Sequence, residues 1–126
     1  MKEYTLIFNN PIKDGLKLTK CEFLVFDYIL DNTSAADSIA QEGGQIFIIS
    51  KDFLDNLKVE RNVTENVVRS CITKLRKNNI IRKINGVSHV YQLSPFYYGK
   101  VYDENNLEEV YKLRENWNDK KIKDGD

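Results

Sequence analysis

The chain has 126 residues, about the length of one domain, and 41% of them are hydrophobic and 30% charged. This composition excludes a disordered, collagenous or low-complexity chain, and the short apolar runs exclude a membrane span of ~20 residues. The two cysteines, Cys21 and Cys71, lie apart in amphipathic patterns. We therefore expect one domain (1–126) without a disulfide scaffold or signal peptide, in a reducing cytoplasm.

Charge is distributed unevenly along the chain, although 19 basic and 19 acidic residues cancel overall. Residues 1–60 hold six lysines and ten acids, a net charge of −4. Residues 61–100 hold eight basic residues and one acid, a net charge of +7, and residues 101–126 return to −3 with five bases and eight acids. A basic block between acidic flanks indicates either a polyanionic partner or a solvated face.

The first elements along the chain are a strand and a helix. Tyr4, Leu6 and Phe8 alternate within residues 2–9, which predicts a half-buried strand or extended arm. Thr19 and Glu22 have the spacing of a capping box and predict the start of a helix. A wide apolar stripe follows from Phe23 to Leu30, and residues 33–44 form a polar loop.

The middle of the chain predicts a strand and two helices. Residues 45–49 are β-branched and apolar, so we expect a strand, and Ser50 caps a short helix over residues 50–57. Residues 58–61 predict a break. Asn62 and Glu65 repeat the capping-box spacing and begin a helix over residues 62–78. Its buried stripe is formed by Val67, Val68, Cys71, Ile72 and Leu75.

The last third predicts a hairpin and a final helix. Asn85-Gly86 between two β-rich runs (80–84 and 87–93) is a strong signal for a tight two-residue turn. Residues 96–102 are aromatic and irregular, and a helix is predicted over residues 104–121. The division is thus an N-terminal arm (1–17), a core (18–95) and a C-terminal helical extension (96–126).

This order of elements is that of a winged helix-turn-helix, so we predict an α+β fold of this class that binds double-stranded DNA. The helix over residues 62–78 is the recognition-helix candidate. Base reading in the major groove is assigned to Thr64, Glu65, Asn66, Arg69, Ser70 and Thr73. Glu65 either caps the helix or accepts a hydrogen bond from cytosine N4.

Two further groups of residues are predicted to position the DNA without reading sequence. Contacts with the DNA backbone are assigned to Arg61, Asn62, Lys74, Arg76 and Lys77. Contacts of the wing are assigned to Arg82, Lys83, Asn85, Gly86, Ser88 and His89.

Three segments resemble the RepL-type plasmid replication proteins of Gram-positive bacteria. The first is residues 26–32, with the helix end "YILDN", and the second is residues 79–87, at the first strand and turn of the wing. The third is residues 91–95, where Ser94 stands in place of the usual Asn before Pro95. The resemblance covers roughly residues 18–100; the loop 33–44 is longer here, and Ser88 and His89 are extra. It implies a winged helix, DNA binding and replication initiation, with host replication machinery as a further partner.

Other functions remain open at this point. The same residues suit a repressor of a mobile element, and a winged helix also serves as a protein-interaction module without DNA. The sequence contains one histidine and none of the usual nucleotide-binding or metalloprotease motifs, so we expect no catalytic residues, no metal and no cofactor.

A homodimer is expected, because helix-turn-helix readers usually bind two-fold sites. Its first candidate interface is the last helix, with Leu107, Val110, Tyr111 and Trp117, and the N-terminal arm is the second. A cluster of aromatic residues has three interpretations: core for the last helix, a dimer interface, or a stacking platform for single-stranded DNA. Its members are Phe96, Tyr97, Tyr98, Tyr102, Tyr111 and Trp117.

Overall fold

The computed structural model describes residues 3–103 and 106–123 and is a mixed α+β structure with a winged-helix arrangement. Its elements are β1 (Tyr4–Ile7), α1 (Lys20–Asn32), a 3-10 turn (Gln41–Gly43), β2 (Ile46–Ile48), α2 (Lys51–Arg61), α3 (Glu65–Lys77), β3 (Ile81–Lys83), β4 (Val90–Leu93), β5 (Tyr98–Val101) and α4 (Leu107–Lys123). The strands form a three-stranded antiparallel sheet in the order β2-β4-β3 and a two-stranded ribbon of β1 and β5. No helix among these residues is long and apolar enough to cross a membrane.

The predicted capping box of α1 is confirmed. The Thr19 side chain accepts a hydrogen bond from the Glu22 backbone N–H at 3.2 Å, and the Glu22 carboxylate accepts one from the Thr19 N–H at 2.7 Å. The apolar stripe of α1 then packs into the main core with Val25, Phe26 and Ile29, whereas Phe23 stays 40% exposed.

The turn between α2 and α3 differs from the prediction. Residues 58–61, predicted as a break, belong to α2, and Asn62 ends α2 with φ of 54° and its N–H donated to the Lys58 carbonyl. The predicted Asn62–Glu65 capping box is therefore wrong, and Thr64 takes the N-cap position of α3. Asparagine suits both roles, because it caps helix starts and also tolerates the left-handed conformation at helix ends.

The wing, which is the hairpin of β3 and β4, has a longer loop than predicted. Its last backbone pair is formed by the Ile84 N–H and the Val90 carbonyl, so the connection is the five-residue loop 85–89 rather than a two-residue Asn85-Gly86 turn. Gly86 and His89 both have positive φ, 77° and 64°. Because only one of the two turn residues adopts positive φ, the loop is not the type I′ turn that Asn-Gly favours.

Two buried glutamines link separate elements of the fold. The Gln45 side chain donates to the carbonyls of Leu93 and Tyr98 and accepts the Lys100 N–H, so it bridges β4 and β5. Gln92 donates to the carbonyls of Glu42 and Gly44. The bonds of Gln45 attach the β1–β5 ribbon to the three-stranded sheet, and those of Gln92 hold residues 42–44 against β4. Strand β5 lies in a segment that was predicted to be irregular.

The ends of the chain also differ from their predictions. All four residues of β1 are exposed rather than half-buried, and only the following Phe8 packs, over Gly99 and Val110. A Cβ on Gly99 would lie 2.8 Å from the Phe8 ring, so glycine permits this contact. The predicted start of the last helix, Glu104, lies outside the described residues, and the helix itself is recorded from Leu107.

Candidate nucleic-acid interface

Helix α3 is held in place by its buried face. Val68, Cys71, Ile72 and Leu75 are all buried, as predicted, and α3 packs against α1 and β3. Burial raises the pKa of the Cys71 thiol to about 12, so this cysteine is an unreactive core residue. Val63, in the turn before the helix, is also buried and fixes the approach of α2 to α3.

The opposite face of α3 is exposed along its length. Five predicted DNA-contacting side chains share it: Asn66, Arg69, Thr73, Arg76 and Lys77. The recorded contacts of Arg69 and Thr73 stay within the helix, since Arg69 pairs with Glu65 at 3.2 Å and the Thr73 hydroxyl donates to the Arg69 carbonyl. Thr64 and Glu65 are exposed at its N-terminal end, and Glu65 acts as an ion-pair partner rather than as a cap. An exposed ion pair of this kind contributes at most about 1 kcal/mol, so Arg69 is easily released to another anion.

Ser70 and Lys74, in contrast, are bonded to a carboxylate of α1. The Ser70 hydroxyl donates to Glu22 at 2.6 Å, and the Lys74 ammonium donates to its other oxygen at 2.7 Å. Ser70 and Lys74 thus bond within the fold, and their roles in reading bases and contacting phosphate stay predictions. Only the capping-box role of Glu22 was predictable; nothing in the sequence indicated its link to α3.

The Glu22 side chain is only 3% exposed, yet its hydrogen-bond partners favour its charged form. Desolvation by burial acts to raise its pKa, but hydrogen bonds from Lys74, Ser70 and Thr19 outweigh this and lower the pKa to about 2. Glu22 thus fixes the rotation of α3 relative to α1.

Arg61 and Asn62 also have structural roles, and their predicted DNA contacts stay predictions. The Arg61 guanidinium pairs with Asp27 at 2.7 Å and Asp31 at 3.5 Å, donates to the Leu24 carbonyl and lies over the Tyr28 ring. These contacts tie the end of α2 to α1. The Asn62 backbone caps the end of α2, and the residue itself is exposed.

Most of the predicted wing residues are exposed to solvent, but Arg82 contacts other parts of the protein. Lys83, Asn85, Gly86, Ser88 and His89 are exposed. Arg82, however, lies over the Trp117 ring at 4.0 Å and donates to the Trp117 carbonyl at 2.8 Å and to Gln92 at 2.7 Å and 3.0 Å. Arg82 therefore holds α4 against the sheet, and its predicted DNA contact stays a prediction.

Arg82→Ala and Lys83→Ala form a matched pair that tests this division. We expect Arg82→Ala to lower the free energy of unfolding by about 2 kcal/mol, since it removes a cation–π contact and hydrogen bonds from a partly buried site. Lys83→Ala should change stability by less than about 0.5 kcal/mol. Urea denaturation measures both, and equal effects of the two variants would contradict the assignment.

The local basic surface is smaller than the sequence suggests. Of the eight basic residues between 61 and 100, Arg61, Lys74, Arg82 and Lys100 are used inside the fold; Lys100 is 4% exposed and donates to the Leu30 carbonyl. The other four, Arg69, Arg76, Lys77 and Lys83, are exposed on α3 and β3. Within residues 61–100, the positive charge available to a partner thus lies on α3 and the base of the wing.

The candidate dimer residues of the last helix mostly belong to the core. Val110 and Trp117 are 0% and 4% exposed within the protomer and are not available to a partner. Leu107 is partly buried, and Tyr111, although 47% exposed, lies against Arg114. Of the three interpretations of the C-terminal aromatic residues, core packing fits Tyr98 and Trp117.

In the described part of the chain, no three His, Cys, Asp or Glu side chains are grouped closely enough to hold a metal ion. Comparisons with protein-family models, curated proteins and solved structures found no match.

Proposed function

We propose that this chain binds double-stranded DNA sequence-specifically through α3 and the wing. The observation that carries the proposal is the exposed face of α3, where an amide, a guanidinium and a hydroxyl (Asn66, Arg69 and Thr73) precede two cations, Arg76 and Lys77. A helix of this width fits the major groove of B-DNA. The rest of the fold holds the helix by its opposite face and leaves this one accessible.

The residue types suit a division between reading and positioning. Asn66 pairs with adenine and Arg69 with guanine, and each bidentate pair contributes roughly 1–3 kcal/mol of discrimination. Arg76, Lys77 and Lys83 bind phosphates, which adds affinity without sequence information. The mechanism is binding without chemistry.

The resemblance to RepL-type proteins supports a role in initiating replication of a plasmid or phage-like element in the bacterial cytoplasm. In that role the protein marks an origin and recruits host replication machinery. A repressor would use the same α3 face, so the position of the preferred DNA site, in an origin or over a promoter, separates the two roles.

Selection of bound duplexes from a random pool tests sequence specificity. We expect the protein to enrich one motif, and Asn66→Ala and Arg69→Ala to relax preference at one position each. Lys77→Ala is the matched control: it should weaken binding to all sequences about equally and leave the motif unchanged. Absence of any enriched motif would contradict the proposal and favour a protein-interaction module.

A further inference from the structure

The N-terminal strand β1 leaves one edge unpaired. The Phe8 N–H donates to the Tyr97 carbonyl at 2.9 Å, and the register pairs Leu6 with Gly99 and Tyr4 with Val101. Hydrogen-bonded residues alternate along an antiparallel strand, so Tyr4, Leu6 and Phe8 direct their peptide groups towards β5. Thr5 and Ile7 direct theirs outward, and among residues 3–103 and 106–123 only β5 pairs with β1.

This open edge is apolar, and of the usual protections of an edge strand it has only a short length of four residues. Tyr4, Leu6 and Ile7 are 51%, 37% and 70% exposed, and β1 contains no charge, proline or bulge. Natural edge strands usually carry one of these features, because an open edge templates pairing with another chain. Beside the Ile7 partner, Tyr98, a shallow groove adds two more exposed apolar side chains, Ile12 and Phe23.

We propose that β1 pairs antiparallel with β1 of a second copy, joining the two ribbons into a four-stranded sheet in the order β5-β1-β1-β5. Residues whose peptide groups point outward must pair with one another, so the two-fold axis passes through a residue and not between two residues. The axis through Leu6 pairs Thr5 with Ile7 of the partner copy and overlaps the whole paired strand from Tyr4 to Phe8. We assign this register.

A second copy suits the edge in charge, but strand pairing alone buries too little area. The chain has zero formal net charge, and the register places Glu3 opposite Asn9 rather than opposite a second Glu3. Pairing of so short a strand covers less than the roughly 1,200 Å² of a stable interface, so the apolar face around Ile7, Ile12 and Phe23 must contribute. We therefore expect a concentration-dependent equilibrium between monomer and dimer.

The dimer proposal does not depend on the proposed DNA binding, because dimerisation is measured in the absence of DNA. If both hold, the interface lies on the arm and leaves α3 of each copy exposed for one half-site.

Cysteine cross-linking tests the register. Leu6 faces its symmetry mate in a non-hydrogen-bonded pair, where Cα atoms lie about 4.5 Å apart, within disulfide range. Leu6→Cys, made with exposed Cys21 changed to serine, should form a covalent dimer on mild oxidation. The matched control, Thr5→Cys in the same background, faces Ile7 of the partner copy and should not cross-link. Equal cross-linking of both, or of neither, would overturn the proposal.

Sedimentation equilibrium of the full chain provides the second measurement. Thr5→Pro removes only an outward N–H and keeps the pairing with β5, so it should weaken dimerisation at least about tenfold. Ile7→Lys should do the same even if the proline variant fails to fold. Ile39→Lys, at a more exposed site in a distant loop, should not. A wild-type chain that stays monomeric at all concentrations would overturn the proposal.

Discussion

Replacing Glu22 with glutamine is expected to lower the free energy of unfolding by about 3 kcal/mol at pH 7. Glu22 is buried and receives charge-assisted hydrogen bonds from Lys74 and Ser70, which a neutral amide only partly reproduces. The expected size of this loss follows from the pKa of Glu22, which is about 2 in the folded chain and 4.5 ordinarily.

The same carboxylate gives stability a pH dependence of defined sign. Because folding lowers the pKa of Glu22, its contribution is fully present above about pH 5 and is lost as the pH falls towards 2. Wild-type stability should therefore fall across this window. The Glu22→Gln variant should lack that part of the fall.

Urea denaturation at pH 7 and pH 3 measures both effects. Glu65→Gln is the matched control, because Glu65 also pairs with a cation of α3 but lies 53% exposed. Its loss should cost less than about 0.5 kcal/mol. If Glu22→Gln were no more destabilising than Glu65→Gln, the buried network would not hold α3 as described.

Reversing both Arg76 and Lys77 to glutamate is expected to weaken DNA binding at least about 100-fold. Two favourable phosphate contacts become two repulsive ones on the helix that enters the groove. The fold should survive, since both side chains are exposed and contribute to α3 only through its C-terminal dipole, about 0.3–1 kcal/mol each.

Lys13→Glu combined with Lys112→Glu is the control for net charge. It changes the total charge by the same amount on exposed residues outside α3 and the wing. Fluorescence anisotropy on one duplex compares the two double variants with the wild type. A similar loss in both would mean that overall charge, rather than the α3 face, governs binding.

Local signals in the sequence predicted the winged-helix order well. The Thr19–Glu22 capping box, the cap at Ser50 and the apolar stripe of α3 are all confirmed, because each depends on residues within one or two helical turns. Burial of the face containing Cys71 leaves the opposite, polar face of α3 exposed. The main surface of the candidate interface therefore follows from the sequence.

The contacts that the sequence did not predict are long-range ones. Arg82 and Trp117 are 35 residues apart, and Lys74 and Glu22 are 52 apart, so no periodicity predicts either pair. Strand β5 was missed because its pairing partner lies at the other end of the chain. Basic residues that serve as internal ties count towards sequence charge but not towards the surface that DNA would meet.

The most direct test of DNA binding is a fluorescence-anisotropy titration of the wild-type chain at several salt concentrations. It would use duplexes from the DNA flanking its own gene and scrambled duplexes of the same composition. We expect preferential binding to one flanking site, with log affinity falling linearly with log salt by about 0.9 for each phosphate neutralised. No binding to either duplex at low salt would contradict DNA binding.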